Sequence, residues 1–149
     1  MQRILVLNGP NLNLLGKRQP NIYGKLTLDD IEGNCAEISK SLGVTVKFSQ
    51  SNHEGELIDQ IQNASENFDG IILNAGAFTH TSVAIMDAIS GVETPVLELH
   101  LSNIHKREEF RHNSFVAKVA IGMICGLGAN GYPLALRAMR DYLDAQNPG

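Results

Sequence analysis

The chain has 149 residues, enough for one domain with a substantial buried core. Hydrophobic residues make up 43% and charged residues 19%, which excludes an intrinsically disordered chain. A formal net charge of -4 without any block of lysine and arginine argues against nucleic-acid binding, because neutralising phosphates needs a basic face.

The first element predicted is a strand at Ile4-Leu5-Val6-Leu7, a continuous apolar run of the kind buried on both faces of a sheet. Asn8-Gly9-Pro10 ends it, too early for the core of a signal peptide. The next helix start is Thr27, so the connection far exceeds the roughly 2–6 residues usual between strand and helix. Such a connection is either a functional lid, here about residues 16–25, or a plain surface loop on which Tyr23 packs down and Arg18 is solvated; it carries Lys17, Arg18 and Tyr23 between Gly16 and Gly24.

Thr27 with Asp30 three residues on forms a capping signal, and Ile31, Cys35, Ile38 and Leu42 recur at helical spacing until Gly43. Val44, Val46 and Phe48 alternate with polar residues, the pattern of a strand exposed on one face. After a turn at Ser51-Asn52-His53, Leu57, Ile58, Ile61 and Ala64 mark a second helix ending near Asn67. Gly70 to Asn74 is a third, buried strand. The Ala75–Ser82 link leads to a helix over Val83–Ser90, with Ile85, Met86 and Ile89 facing inward. Pro95 to His100 is the fourth strand. Residues 102–113 are polar, with one helical turn expected at Lys106–Phe110, and Val119 to Cys125 is expected as the fifth strand. The final helix runs from near Gly131 to Ala145, with Leu134, Leu136, Met139, Tyr142 and Leu143 as its buried side.

Five alternations of strand and helix predict an α/β fold: a flavodoxin-like, doubly wound five-stranded parallel sheet, order 2-1-3-4-5, with helices on both faces, in one domain over 1–149. Ligands bind such sheets beyond the carboxyl ends of the strands, at the switch between strands 1 and 3. The strand ends supply Asn8 and Asn11; Asn74 and His80; and Glu98 with His100. Glu98 and His100 are two residues apart and so project from the same face, where a carboxylate can fix an imidazole tautomer for acid–base work. Arg107 and Arg111 would share a face if their segment were helical, or else form a solvated basic turn paired with Glu108 and Glu109. No dinucleotide or phosphate-binding glycine motif, nucleophile elbow or zinc pattern is present in the sequence. Cys35 and Cys125 lack metal spacing and are expected as buried free thiols in a cytoplasmic protein. A flavodoxin-like binding or signalling module remains the alternative to an enzyme, although the first strand ends on Asn8 and Gly9, not on the acidic cluster of a receiver.

Three motifs, GPNLNLLGKRQPNIYG, ILNAGAFTHTS, and ELHLSNIHKREEFR followed by GLGANGYPLAL, are spread from strand 1 to the last helix. In this combination and order the chain resembles the type II 3-dehydroquinate dehydratases. The resemblance implies a metal-free, cofactor-free and imine-free dehydration of 3-dehydroquinate to 3-dehydroshikimate through an enolate. It implies Tyr23 as proton acceptor and His100, held by Glu98, as proton donor. Arg18 would stabilise the transition state and favour the phenolate of Tyr23, whose ordinary value is near ~10. Asn11 would help hold the enolate oxygen through a water. Asn74, His80 and Arg111 would bind the substrate hydroxyls, and the backbone N–H groups of Leu101 and Ser102 its carboxylate. Arg107 would lie at the rim, paired with Asp87 from a neighbouring subunit that thereby joins the substrate site, in a homododecamer built as a tetramer of trimers. Neither nucleic acid nor membrane is implied as a partner. Two departures stand out: Gln19 where the family's lid commonly has an acid between arginine and proline, and Ala117-Lys118 where it often has Ser-Pro.

Overall fold

A computed structural model of the chain describes residues 1–17, 21 and 25–147. Five strands, β1 (Gln2–Asn8), β2 (Val44–Gln50), β3 (Gly70–Asn74), β4 (Val96–His100) and β5 (Gly122–Cys125), form one sheet in the order β2-β1-β3-β4-β5. All four pairings are parallel, so the flavodoxin-like order expected from the sequence is the one observed. Among the described residues four α-helices flank the sheet: α1 (Leu28–Leu42), α2 (Glu54–Asn67), α3 (Val83–Ser90) and α4 (Gly131–Gln146).

The strands' period of two divides the core. On one face Ile4, Val6, Ile72, Leu97 and Leu99 pack with Ile31 and Cys35 of α1 and Leu136 and Met139 of α4. On the other, Leu5, Leu7, Ile71, Leu73 and Val96 pack with Leu57 and Ile61 of α2 and Ile85 and Ile89 of α3. Both faces of β1, β3 and β4 are therefore covered, which explains why they read as unbroken apolar runs. The α1 start is a capping box: Thr27 accepts from the Asp30 N–H while the Asp30 carboxylate accepts from the Thr27 N–H. Gly43 closes that helix in the left-handed conformation, at φ 70°.

Four expectations need correction. The fifth strand begins at Gly122, not Val119, because Val116–Lys118 forms a 3-10 turn whose Val116 is buried under the α2–α3 face. An apolar run does not distinguish a buried turn from a buried strand. The Lys106–Phe110 turn resolves into two 3-10 turns, Ile104–Lys106 and Glu109–Arg111. Leu134 is exposed, and its place on the buried side of α4 is taken by Tyr132, with 0% exposure. Cys35 is buried as expected, whereas Cys125 is half-buried at the end of edge strand β5.

Candidate active site

The switch point lies where Asn8 and Asn74 are paired across β1 and β3. Both asparagines are buried, so their amides must find partners inside the protein. Tyr132 supplies them from α4. Its hydroxyl donates to Asn8 Oδ1 at 2.7 Å and accepts from Asn74 Nδ2 at 3.0 Å. Asn8 Nδ2 then donates to the Ser49 carbonyl of β2 at 3.1 Å. Burial pushes the Tyr132 phenol well above its ordinary value, so it stays a neutral donor and acceptor. Gly9 follows at once, and its N–H donates to the Asn74 carbonyl at 2.8 Å. A Cβ at Gly9 would lie 2.5 Å from the Ala75 carbonyl oxygen, so only glycine lets these two strand ends approach.

Beyond Pro10 the chain turns at Asn11, the one described non-glycine residue with positive φ, at 70°. Asparagine tolerates that conformation better than most side chains. Asn52 holds the turn by accepting from the Asn11 N–H at 3.0 Å, and Gln50 Nε2 donates to the Gly9 carbonyl at 3.1 Å.

On the opposite face of the sheet, Glu98 and His100 of β4 meet as their spacing predicts. His100 Nε2 lies 2.5 Å from Glu98 Oε2, with exposures of 6% and 0%. A carboxylate accepts, so Nε2 carries the proton and Nδ1 is the ring nitrogen left over. Burial opposes ionisation of Glu98, but hydrogen bonds from His100, Thr79 and Ser114 outweigh it and hold the carboxyl below its ordinary value. The Thr79 hydroxyl donates to Oε2 at 2.6 Å, and that of Ser114 at 2.7 Å.

His80, next to Thr79, closes the 3-10 turn Gly76–His80. Its Nδ1 donates to the Asn113 carbonyl at 2.9 Å, so the neutral ring keeps Nε2 as an acceptor. Burial lowers its pKa, helped by the charges of His100 and Arg111 and opposed by that hydrogen bond. The His80 and His100 rings lie nearly parallel, 15° apart, with centroids 6.4 Å apart.

These groups border one cleft of about 730 Å³, the size range of small-molecule sites. Asn11, Asn74, His80, His100, Leu101, Ser102, Arg107 and Arg111, all singled out from the sequence, line it. Glu98 stands behind His100. The basic rim is held by Glu108, whose Oε2 accepts from Arg111 Nε at 3.0 Å and whose Oε1 lies 3.9 Å from Arg107 Nε. Arg107 also reaches Ser102 Oγ at 3.4 Å. Asp87, on α3, is exposed and does not line the cleft of its own chain. Arg18, Gln19 and Tyr23 lie outside the described residues. The sequence offers Glu108 only as an ion-pair partner of the two arginines, which it is, and gives Thr79, Ser114 and Tyr132 no role. Thr79 and Tyr132 lie inside the quoted motifs, but a motif does not say what a hydroxyl bonds, and only the folded contacts reveal its partner.

Among the described residues no cluster of His, Cys, Asp and Glu could hold a metal ion, and no helix is long and apolar enough to cross a membrane. Fold and cleft together define a flavodoxin-like α/β protein with a polar, imidazole-bearing site at its switch point. The model of the family dehydroquinase class II matches residues 2–140. A 3-dehydroquinate dehydratase of Gloeothece citriformis is 61% identical over 140 residues, 94% of this chain and 92% of that one. That of Dinoroseobacter shibae is 58% identical over 142 residues, 95% of each chain. Among solved structures, a type II dehydroquinase from Butyrivibrio crossotus superposes with a TM-score of 0.91 at 46% identity, covering 94% of this chain and 97% of that one. The chain belongs to the dehydroquinase class II family.

Proposed function

We propose that this chain dehydrates 3-dehydroquinate to 3-dehydroshikimate, a step of the shikimate pathway leading to chorismate and the aromatic amino acids. The observation that carries the reading is the near full-length relationship to proteins named 3-dehydroquinate dehydratase. The cleft supports it with an acid and hydroxyl-binding groups on one site.

The chemistry is an elimination of water. The C2 proton is acidified by the adjacent C3 ketone, so neither a metal nor an imine is needed to form the carbanion equivalent. Tyr23, as phenolate beside Arg18, takes that proton, and the electron pair moves onto the C3 oxygen as an enolate. Asn11 stabilises the enolate through a water. The enolate then collapses: the C3 carbonyl re-forms, C1=C2 forms, and the C1–O bond breaks as His100 gives its proton to the departing hydroxyl. Tyr23 ends protonated and His100 neutral, so one proton must pass between them before the next turnover. Asn74, His80 and Arg111 bind the ring hydroxyls, and the backbone at Leu101 and Ser102 takes the carboxylate. One catalytic domain spans 1–149, with residues 16–25 as a lid over the bound substrate. Arg107 pairs with Asp87 of a neighbouring subunit in a cytoplasmic homododecamer, a tetramer of trimers.

The test follows the ultraviolet absorbance of the conjugated enone after mixing with 3-dehydroquinate. Turnover should be abolished in Tyr23→Phe and untouched by borohydride, which would trap an imine. No absorbance change with the intact protein would sink the assignment. Sedimentation of the purified protein tests the dodecamer.

A further inference from the structure

Glu98 is wholly buried, and its carboxylate is met from three separate segments. His100 reaches it from the same strand, Thr79 from the turn after β3, and Ser114 from the loop before β5. Thr79 is 0% and Ser114 7% exposed, so neither hydroxyl is merely solvated. The two segments are also pinned to each other, since the Phe115 N–H donates to the Thr79 carbonyl at 2.8 Å. Ser114 Oγ accepts from the Ala117 N–H at 3.0 Å, which turns its own proton toward the carboxylate.

We propose that Thr79 and Ser114 are positioning residues for the reaction, their two hydroxyls keeping Glu98 an anion aimed at His100 Nε2. The inference rests on the reading of His100 as proton donor. When His100 gives up its proton, the one cation in contact with Glu98 disappears while the carboxylate stays buried. A lone buried anion would then take up a proton. Two hydroxyl donors whose charge does not change during the cycle hold it ionised through that step. Without them the shared proton settles on Glu98, which leaves a neutral imidazole, a far weaker acid than the imidazolium. Other charged or titratable groups near the pair are His80, alongside the His100 ring, and Arg111 across the cleft. Neither is hydrogen-bonded to the carboxylate, and both are retained in the variants below.

The experiment compares the intact protein with Thr79→Val, Ser114→Ala, the double variant and Ser114→Thr. Proton NMR reads the far-downfield Nε2–H resonance of a short imidazole–carboxylate hydrogen bond, assigned by its loss in Glu98→Gln. Steady-state kinetics with 3-dehydroquinate reads kcat and KM separately. The expected result is a weakened resonance and a kcat lowered about tenfold in each single variant, with KM within about twofold. Ser114→Thr, which keeps the hydroxyl, should restore both. A resonance and kcat that persist in the single variants while only the melting temperature falls would overturn the proposal and leave the hydroxyls a purely structural role. Should the double variant not fold, the single variants, each retaining one hydroxyl, decide the matter. If the intact protein does not turn over 3-dehydroquinate, the proposed function fails, and the resonance alone decides whether the hydroxyls govern the Glu98–His100 pair.

Discussion

Tyr132 is the residue on which the α1–α4 side of the site hangs. A single hydroxyl satisfies one amide on β1 and another on β3, so Tyr132→Phe leaves two buried polar groups each short of a partner. Such a loss costs about 1–3 kcal/mol, and urea unfolding at neutral pH should show it as a lowered midpoint with an unchanged m value. Asn74 loses the bond that fixes its rotamer. KM for 3-dehydroquinate should therefore rise more than kcat falls, since His100 on the other face is untouched. An equal fall in kcat with KM constant would show that Asn74 acts on the transition state alone. Tyr132 lies in the GLGANGYPLAL motif, yet the sequence gives it no role, because a tyrosine on an apolar helix face looks like any other core residue until its hydroxyl's partners are known.

At the scale of elements, the site exists because alternate residues of a buried strand face opposite ways. Asn8 and Asn74 share the α1–α4 face, in step with Ile4, Val6 and Ile72, whereas Glu98 and His100 fall on the α2–α3 face with Val96. The cleft lies beyond the carboxyl ends of the strands, where both faces come together. Gly9 governs how closely β1 and β3 end there. Gly9→Ala would drive a methyl into the Ala75 carbonyl and displace the turn that carries Thr79 and His80. It should lower the melting temperature and cost at least about tenfold in kcat/KM, because displacing groups near the chemistry by an ångström is expensive. Unchanged kinetics would mean that the turn is set from β4 instead. The strand order, the paired Glu98 and His100 and most of the cleft's polar side chains were legible in the sequence, because buried parallel strands leave long apolar runs and the chemistry clusters at their ends. What was not legible depends on three-dimensional partners. Val119 and Ala120 pack on the α2–α3 core as a strand residue would, yet belong to a turn. Leu134, more apolar than Tyr132, lies on the wet side of α4.

For the whole molecule, three perturbed groups at the cleft, Glu98, His80 and the exposed rim residue Glu108, all set the same direction of acid sensitivity. Glu98 and His80 both titrate below their ordinary values of 4.5 and 6.5 in the folded chain. In each case the unfolded chain binds protons more readily, so folding stability rises with pH across the interval between the two states' values. Stability should be full above about pH 6.5, decline first as His80 is forced to protonate, and fall further below 4.5 as Glu98 does. Denaturant midpoints measured from pH 8 to 3 check this, and His80→Asn should remove the upper part of the decline. A stability that rises on acidification would contradict the sign.

The two cysteines give the protein a pair of unequal internal clocks. Cys35 is 1% exposed within the α1 core, and burial pushes its thiol up to about 12. Cys125 is half-buried, paired in register with His100 and one residue before Gly126 on the cleft wall. A maleimide should therefore label one thiol per native chain promptly and the second only when the α1 face opens. The slow reaction counts excursions from the native state under native conditions, without denaturant. The fast one reads the outer edge of the sheet at β5, so a single reagent times both the opening of the fold and the accessibility of its outermost strand.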